Sequence, residues 1–298
     1  MIKYEWRDEL DDAEAAELSD MLDRAAVYDA EPEYSTIDSA DVQRAFAKRD
    51  SRFRHLLIWM LPRATAMSEP EQPQRMAGLL RLEFTDGAAA KAVLVIEPTL
   101  RSIGVTTLFL ERVGLDTTGV DGWLGTGAKS IGAWARGNHP ASGRLSNRFL
   151  IPRTRRMWKL IRPTDSALDA AAAPVLEPVN SSALEHLEWA GSMGGVDECH
   201  ALREAGAVAG VVLLDLNPVV SEEFGRCATV SRLAFSPAVD TSALRRLLDG
   251  AAAVAHEDGL SGLVIHVDSG DARLVNACRL VGFQHDRTDV HYEIGESR

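Results

Sequence analysis

Residues 91–113 read KAVLVIEPTLRSIGVTTLFLERV, and no other stretch restricts the fold as tightly. Residues 92–96 are a short apolar run with two valines and an isoleucine, the length and branching of a buried strand. Glu97 and Pro98 end that run, and Arg101-Ser102-Ile103-Gly104-Val105-Thr106 makes a short turn. Leu108, Phe109, Leu110 and Val113 then recur at helical spacing. A strand that turns through a Gly loop into a helix aims backbone N–H groups and the positive helix end at one point. That suits an anion such as a pyrophosphate. A plain connecting turn has the same pattern, so the stretch alone fixes strand, turn and helix but not a ligand.

The rest of the chain supplies more of the same units. Helical spacing is expected over 13–26 and 38–48, strands over 55–61, 76–84 and 130–135, a helix over 140–149 and a strand over 154–161. Asp86-Gly87 predicts a hairpin turn, and the Gly-rich residues 114–127 read as a linker between elements. Strands follow over 207–216, 227–235, 263–267 and 290–294, with helices over 244–256 and 271–281. Pro98 and Pro237 each end a strand and lie 139 residues apart, and each is followed by helix, strand, helix and strand. That order predicts a tandem duplication.

At 298 residues the chain has about twice the usual domain length. The Ala- and Pro-rich residues 164–178 read as a linker, leaving domains 1–163 and 179–298. A formal charge of −12 argues against a general nucleic-acid or anionic-membrane binder. Arg153, Arg155, Arg156, Lys159 and Arg162 run against that trend, either as decoration of a strand edge or as a patch facing an anionic ligand. Cys199, Cys227 and Cys278 are far apart and odd in number, with no disulfide framework and no zinc-ligand spacing. Residues 2–9 have no apolar leader core and no stretch nears ~18 apolar residues, so a cytoplasmic protein without a membrane partner is expected.

Against this background, VIEPTLRSIGVTTLFL at 95–110 resembles the acetyl-CoA loop of the GNAT acetyltransferases, which reads Arg/Gln-x-x-Gly-x-Gly/Ala. Arg101 and Gly104 match it, and Thr106 takes the place of the last small residue. WRDEL at 6–10, AWARGNHPASGRLSNRFL at 133–150, RTRRMWKLIRP at 153–163 and HVDSGDARLVNACRLVGFQHDRTDVHYEI at 266–294 resemble the mycothiol-synthase type, an actinobacterial family with two GNAT domains in tandem. The resemblance implies an α/β fold, an α+β mixed sheet in two tandem GNAT domains. It implies an N-acetyltransferase with acetyl-CoA as co-substrate, acting on the cysteinyl amine of cysteinyl-glucosaminyl-inositol. The backbone of Leu94, Val95 and Ile96 would pair with the pantetheine arm, and Ser102, Ile103, Gly104, Val105, Thr106 and Thr107 would wrap the pyrophosphate. Leu233, Ala234 and Phe235 form the equivalent strand end of the second domain, where the family places its chemistry.

The second domain departs from the family pattern. Residues 238–245 contain no glycine, and Asp240 puts negative charge where a pyrophosphate would lie. The family's catalytic Glu falls at Thr229 and its candidate general-acid Tyr at Cys278. The substrate-contact segment is short around 191–204, and a basic residue is missing near Asp215. Two further readings therefore stand beside the first: a catalytically silent tandem GNAT protein that binds acetyl-CoA as sensor or scaffold, and an enzyme acting on another amine through its first domain. A small-molecule amine partner and a monomer are expected.

No side chain is assigned as catalytic from sequence. Glu97 reads as a solvated strand end or as a base acting through water. Glu83, between Leu82 and Phe84, reads as solvent-facing or as a base. His266 inside LVIHV stands where the family makes a substrate contact and reads either as that or as a satisfied buried histidine; Asn138 reads as the cap of the helix at 140–149, and Cys278, Trp134 and Trp158 as core.

Overall fold

The computed structural model describes residues 1–30, 34, 37–61, 74–165, 174–193 and 199–295. These fall into two compact units, Met1–Arg155 with Asp289–Arg298, and Arg156–Thr288. In chain order the first elements are β1 (Ile2–Arg7), α1 (Asp12–Asp29), α2 (Ser39–Ala47), β2 (Phe53–Met60), β3 (Arg75–Asp86) and β4 (Ala89–Ile96). Next come α3 (Val105–Val113), β5 (Ser130–Ala135), α4 (Pro140–Phe149) and β6 (Arg153–Pro163). The second half holds β7 (Glu177–Val179), β8 (Cys199–Glu204), β9 (Ala207–Ser221), β10 (Gly225–Phe235), α5 (Thr241–Glu257), β11 (Gly262–Asp268), α6 (Ala272–Leu280) and β12 (Gln284–Gly295). The fold is mixed α/β, as the repeat of elements predicts.

The sheet of the first unit runs β1-β2-β3-β4-β5-β12, antiparallel except for the β4–β5 pair. Both of its faces are covered, which is why β2 is an apolar run rather than an alternation. Leu56 and Ile58 face Val105 and Phe109 of α3. Leu57 and Trp59 face Leu18, Met21 and Leu22 of α1 and Val42 and Phe46 of α2. Each such burial is worth about 1.5–3 kcal/mol. Helix α1 starts on a capping box, with Asp11 accepting from Glu14 N and the Glu14 side chain accepting from Asp11 N. β1 lies outside the sequence expectation, although Ile2, Tyr4 and Trp6 alternate with Lys3, Glu5 and Arg7 in strand period. The 114–127 linker is also more than a spacer. Trp123 is buried, meets Phe109 edge-on at 6.4 Å, and donates its ring N–H to Gly114 O.

In the second unit the order is β6-β11-β10-β9-β8-β7, with β10–β11 the parallel pair. Leu244, Leu247, Leu248, Ala251, Ala252 and Ala255 form one stripe of α5 and pack with Ala228, Val230, Leu263 and Ile265. β8 is not foreseen from the sequence, where CHALRE shows little alternation. The basic cluster divides. Lys159 and Arg162 are buried and ion-paired to Asp286 and Asp249 at 2.9 and 2.7 Å, so neither decorates an edge.

These units cut the chain at places other than 163 and 179. β6 pairs with β11 from Met157 to Pro163, and Val290–Gly295 of β12 pair with β5, so the closing strand of each repeat belongs to the other repeat's unit. Of the 164–178 stretch, residues 166–173 lie outside the described residues, as do the proline-rich residues 62–73. Leu176 is buried against α5, where Gly250 leaves it room. No helix among the described residues is long and apolar enough to cross a membrane.

Glu97, at the end of β4, is wholly buried. It accepts from Arg24 of α1 at 2.8 and 3.2 Å and has Arg75 at 3.7 Å, so the solvated-end expectation is corrected. Burial alone would raise its pKa, but the Arg24 hydrogen bond and charge, with help from Thr99 and Arg75, hold it below the usual carboxylate range. A carboxylate depressed on folding stabilises above its ordinary pKa of about 4.3 and loses that contribution as pH falls through the folded value. Between about pH 6 and about pH 3 the urea midpoint of the wild type is expected to fall further than that of Glu97→Gln, read by tryptophan fluorescence. Equal losses in the two proteins would mean that the pair is not what couples this strand end to pH.

Candidate active site

The parallel β4–β5 ladder has four rungs, from Ala89↔Ser130 to Ala92↔Ala133. β4 continues to Ile96 and β5 to Ala135 without further pairing between them. The strands diverge, and the β5-facing backbone of residues 93–96 is left for another partner. A cavity of about 670 Å³ occupies the gap. Its walls include β4, the 100–107 connection, α3, β5, α4 and Tyr292 to Ile294 of β12.

The start of α3 makes one end of this cavity. Gly104 is left-handed at φ 88, a conformation that costs other residues about 1–2 kcal/mol. No side chain caps α3, so its first N–H groups are free of the carboxylate or hydroxyl that such a position usually carries. A β-carbon built on Gly104 meets nothing within 4 Å. The site thus combines unspent amides, a positive helix end and open space, the requirements for holding an anionic diphosphate.

Of the first-domain residues singled out by sequence, Leu94, Val95, Ile96, Ser102, Gly104, Val105, Thr106 and Thr107 line this one cavity. Ile103 does not line it and is exposed. Leu233, Ala234 and Phe235 lie on β10 of the other unit, where Ala234 is buried beside Val211 and Phe235 carries Arg273 over its ring at 5.0 Å. There the parallel ladder ends at Val230↔Ile265, and β10 likewise runs on. The helix start differs. Asp240 caps α5, its side chain accepting from Ala243 N at 2.9 Å, so the amide offered to a ligand in the first unit is already taken here. Cys278 is fully buried, and burial pushes its thiol up to about 12, which leaves it a core residue without acid–base use near neutrality. Thr229 is half-buried, opposite Asp215.

Several groups at the cavity escape sequence reading because their partners are far away in the chain. His139, not Asn138, caps α4, with Nδ1 accepting from Ala141 N at 3.1 Å. Burial, followed by the charge of Arg101, lowers its pKa. Asp289 is wholly buried and holds Arg136 at 2.7 Å and Gly137 N at 2.9 Å, fixing the turn before His139. Trp134 is half-buried in the cavity wall and packs on His291, with ring centres 4.9 Å apart. His266 is half-buried on β11 and Glu83 half-buried on β3. Among the described residues no group of three or more His, Cys, Asp or Glu is placed to hold a metal ion.

No family model matches the chain. The mycothiol acetyltransferase of Thermobispora bispora is 32% identical over 99 residues, a match covering 33% of this chain and 30% of that protein. The match therefore spans about a third of the relative's length. Among solved structures, a GCN5-related N-acetyltransferase from Sphaerobacter thermophilus superposes with a TM-score of 0.58 at 12% identity, covering 99% of this chain and 98% of its own. A tandem GNAT protein from the clavulanic acid biosynthesis pathway, solved without AcCoA, gives 0.59 at 14% identity and covers all of both chains. The chain therefore has the GNAT fold, and the proteins it is similar to are acetyltransferases.

The contrast between the two helix starts makes a stability prediction. Asp240→Ala should cost about 1 kcal/mol in urea denaturation through loss of the α5 cap. An unchanged midpoint would show that the Asp240 carboxylate contributes no cap.

Proposed function

From the GNAT fold we propose that the first unit binds acetyl-CoA in the β4–β5 gap and that the protein is an N-acetyltransferase. The observation that carries this reading is the coincidence, in one cavity, of an uncapped α3 start and a strand edge lacking its partner. The residues present fit the ligand. The amides of residues 105–107 would meet the diphosphate, with Gly104 admitting it closely. The backbone of Val93 to Ile96 would pair with the amides of the pantetheine arm. Four residues of strand span about 13 Å, enough for the extended arm to reach from the mouth toward the last rung at Ala92.

When bound, acetyl-CoA supplies an activated thioester for attack by an amine. The chain's part is to orient that thioester, shield it from water and polarise its carbonyl with a strand N–H. Carboxylates at the cavity are committed elsewhere. Asp29 holds Arg101, and Glu293 accepts the Ser130 hydroxyl at 2.8 Å. His139 spends Nδ1 on the α4 cap, so its remaining nitrogen bears the proton and donates. In this reading the amine arrives neutral and attacks the thioester carbonyl. As the C–N bond forms the C–S bond breaks, the amine gives a proton to solvent and CoA leaves as the thiolate, protonated by solvent. The rate therefore rises with pH up to the amine's own pKa. By resemblance to the mycothiol acetyltransferases, the acceptor is the cysteinyl amine of cysteinyl-glucosaminyl-inositol.

A second reading is a silent GNAT pair that binds acetyl-CoA as a sensor or scaffold. The Asp240 cap and the buried Cys278 favour it, since they remove ligand and acid functions from the second unit.

Isothermal titration is expected to give one acetyl-CoA site per chain, weakened at least about 100-fold by Gly104→Trp, which fills the space before α3. No binding to the wild type at about millimolar ligand would end the proposal. Release of free CoA thiol with the cysteinyl pseudodisaccharide separates enzyme from sensor: turnover supports the first reading, and binding without turnover supports the second.

A further inference from the structure

Asp29 is the last residue of α1 and is 5% exposed. A carboxylate is unfavourable at a helix C-terminus, where the free carbonyls carry partial negative charge, and burial adds to the cost. The last turn of α1 has no basic residue to offset it. The compensation comes from 72 residues further along. Arg101 Nη1 donates to Asp29 Oδ1 at 2.6 Å and Nη2 to Oδ2 at 2.9 Å, a two-pronged pair with a matching fork geometry. Arg101 Nε donates to Ile96 O at 3.0 Å, and the guanidinium lies over the Tyr28 ring at 5.0 Å. Each guanidinium nitrogen thus makes one hydrogen bond within the protein, at the ends of α1 and β4, which uses three of the five N–H donors.

Arg101 leads directly into the turn that feeds α3, with Ser102 at φ 66 and Gly104 at φ 88. Left-handed backbone at a non-glycine residue persists only where its surroundings hold it. Asp29 also reaches the far wall of the cavity: its carbonyl accepts from Tyr34 N at 3.1 Å, and the Tyr34 ring stands 4.4 Å from that of His139, the α4 cap.

We propose that Asp29 and Arg101 are a positioning clamp for the acyl-donor loop, and that Arg101 does not itself bind the diphosphate. The pair holds the 101–104 turn in the shape that presents the amides of α3, so that ordering of the loop is complete before the ligand arrives. The inference rests on the acetyl-CoA reading of the first unit. An arginine beside a diphosphate would otherwise serve as its counter-ion.

A double-mutant cycle decides the matter. Titrations of acetyl-CoA, and of adenosine 3′-phosphate 5′-diphosphate as its nucleotide half, are run on the wild type, Asp29→Asn, Arg101→Gln, the double variant and Arg101→Lys, with unfolding midpoints confirming that each is folded. A clamp requires each single change to weaken both ligands about tenfold, the double to be no worse than the poorer single, and Arg101→Lys to lose binding although its charge is kept. The salt dependence of binding stays that of the wild type. If instead Asp29→Asn binds as tightly as wild type or tighter, or Arg101→Lys retains affinity, Arg101 is a direct phosphate ligand and the clamp is wrong. A variant that does not fold leaves Arg101→Lys and the remaining single to decide by the same criterion. Wild-type protein that binds neither ligand overturns the acetyl-CoA reading itself, and the clamp with it.

Discussion

Strands β4 and β5 share four rungs and then part, and the rest of the first unit is arranged around that opening. Backbone groups at a parted edge need partners, and a sheet with both faces covered has no water to offer them. The gap persists because each of its sides is fixed independently. β4 is fully paired on its other edge to β3, and β5 is paired to β12. The free end of β4 is tied to α1 by two ion pairs of opposite sense, each with a buried carboxylate, Glu97 to Arg24 and Arg101 to Asp29. On the α4 side, Asp289 holds the turn that follows β5. The opening is thus built into the sheet and does not depend on a ligand to part it.

The second unit repeats the plan with the electrostatics of the helix start reversed. β10 leaves β11 at Val230 much as β4 leaves β5 at Ala92. Where α3 begins after a left-handed glycine with its amides free, α5 begins on a carboxylate that consumes one of them. A single side chain of the right length does for α5 what an external anion can do for α3. That difference, rather than any difference in topology, assigns the donor site to the first unit in the proposed reading.

Much of this is legible in the chain. Residues 92–96 and 108–113, and the strand at 130–135, announce themselves by apolar period, because each buries one face or both. The left-handed turn is legible at Gly104, where the absence of a β-carbon is itself the signal. β8 is not, since CHALRE mixes polar and apolar residues in no clear period. β1 carries a proper alternation yet lies beside a strongly helical acidic stretch that dominates the reading. Asn138 is the better intrinsic cap, but it is turned into the left-handed region and His139 takes the role.

The sequence by itself determined the strand–turn–helix units, their repetition and the residues that make a helix start able or unable to receive an anion. These depend on local spacing and on the presence or absence of a β-carbon or a carboxylate, which a chain displays in order. Tertiary structure alone decided that Glu97 is buried rather than solvated, that Arg101 spends its guanidinium on Asp29, and that each repeat's closing strand is lodged in the other unit's sheet. Those outcomes join residues 72 or more positions apart, and a charge declares its partner only when folding has removed water from between them.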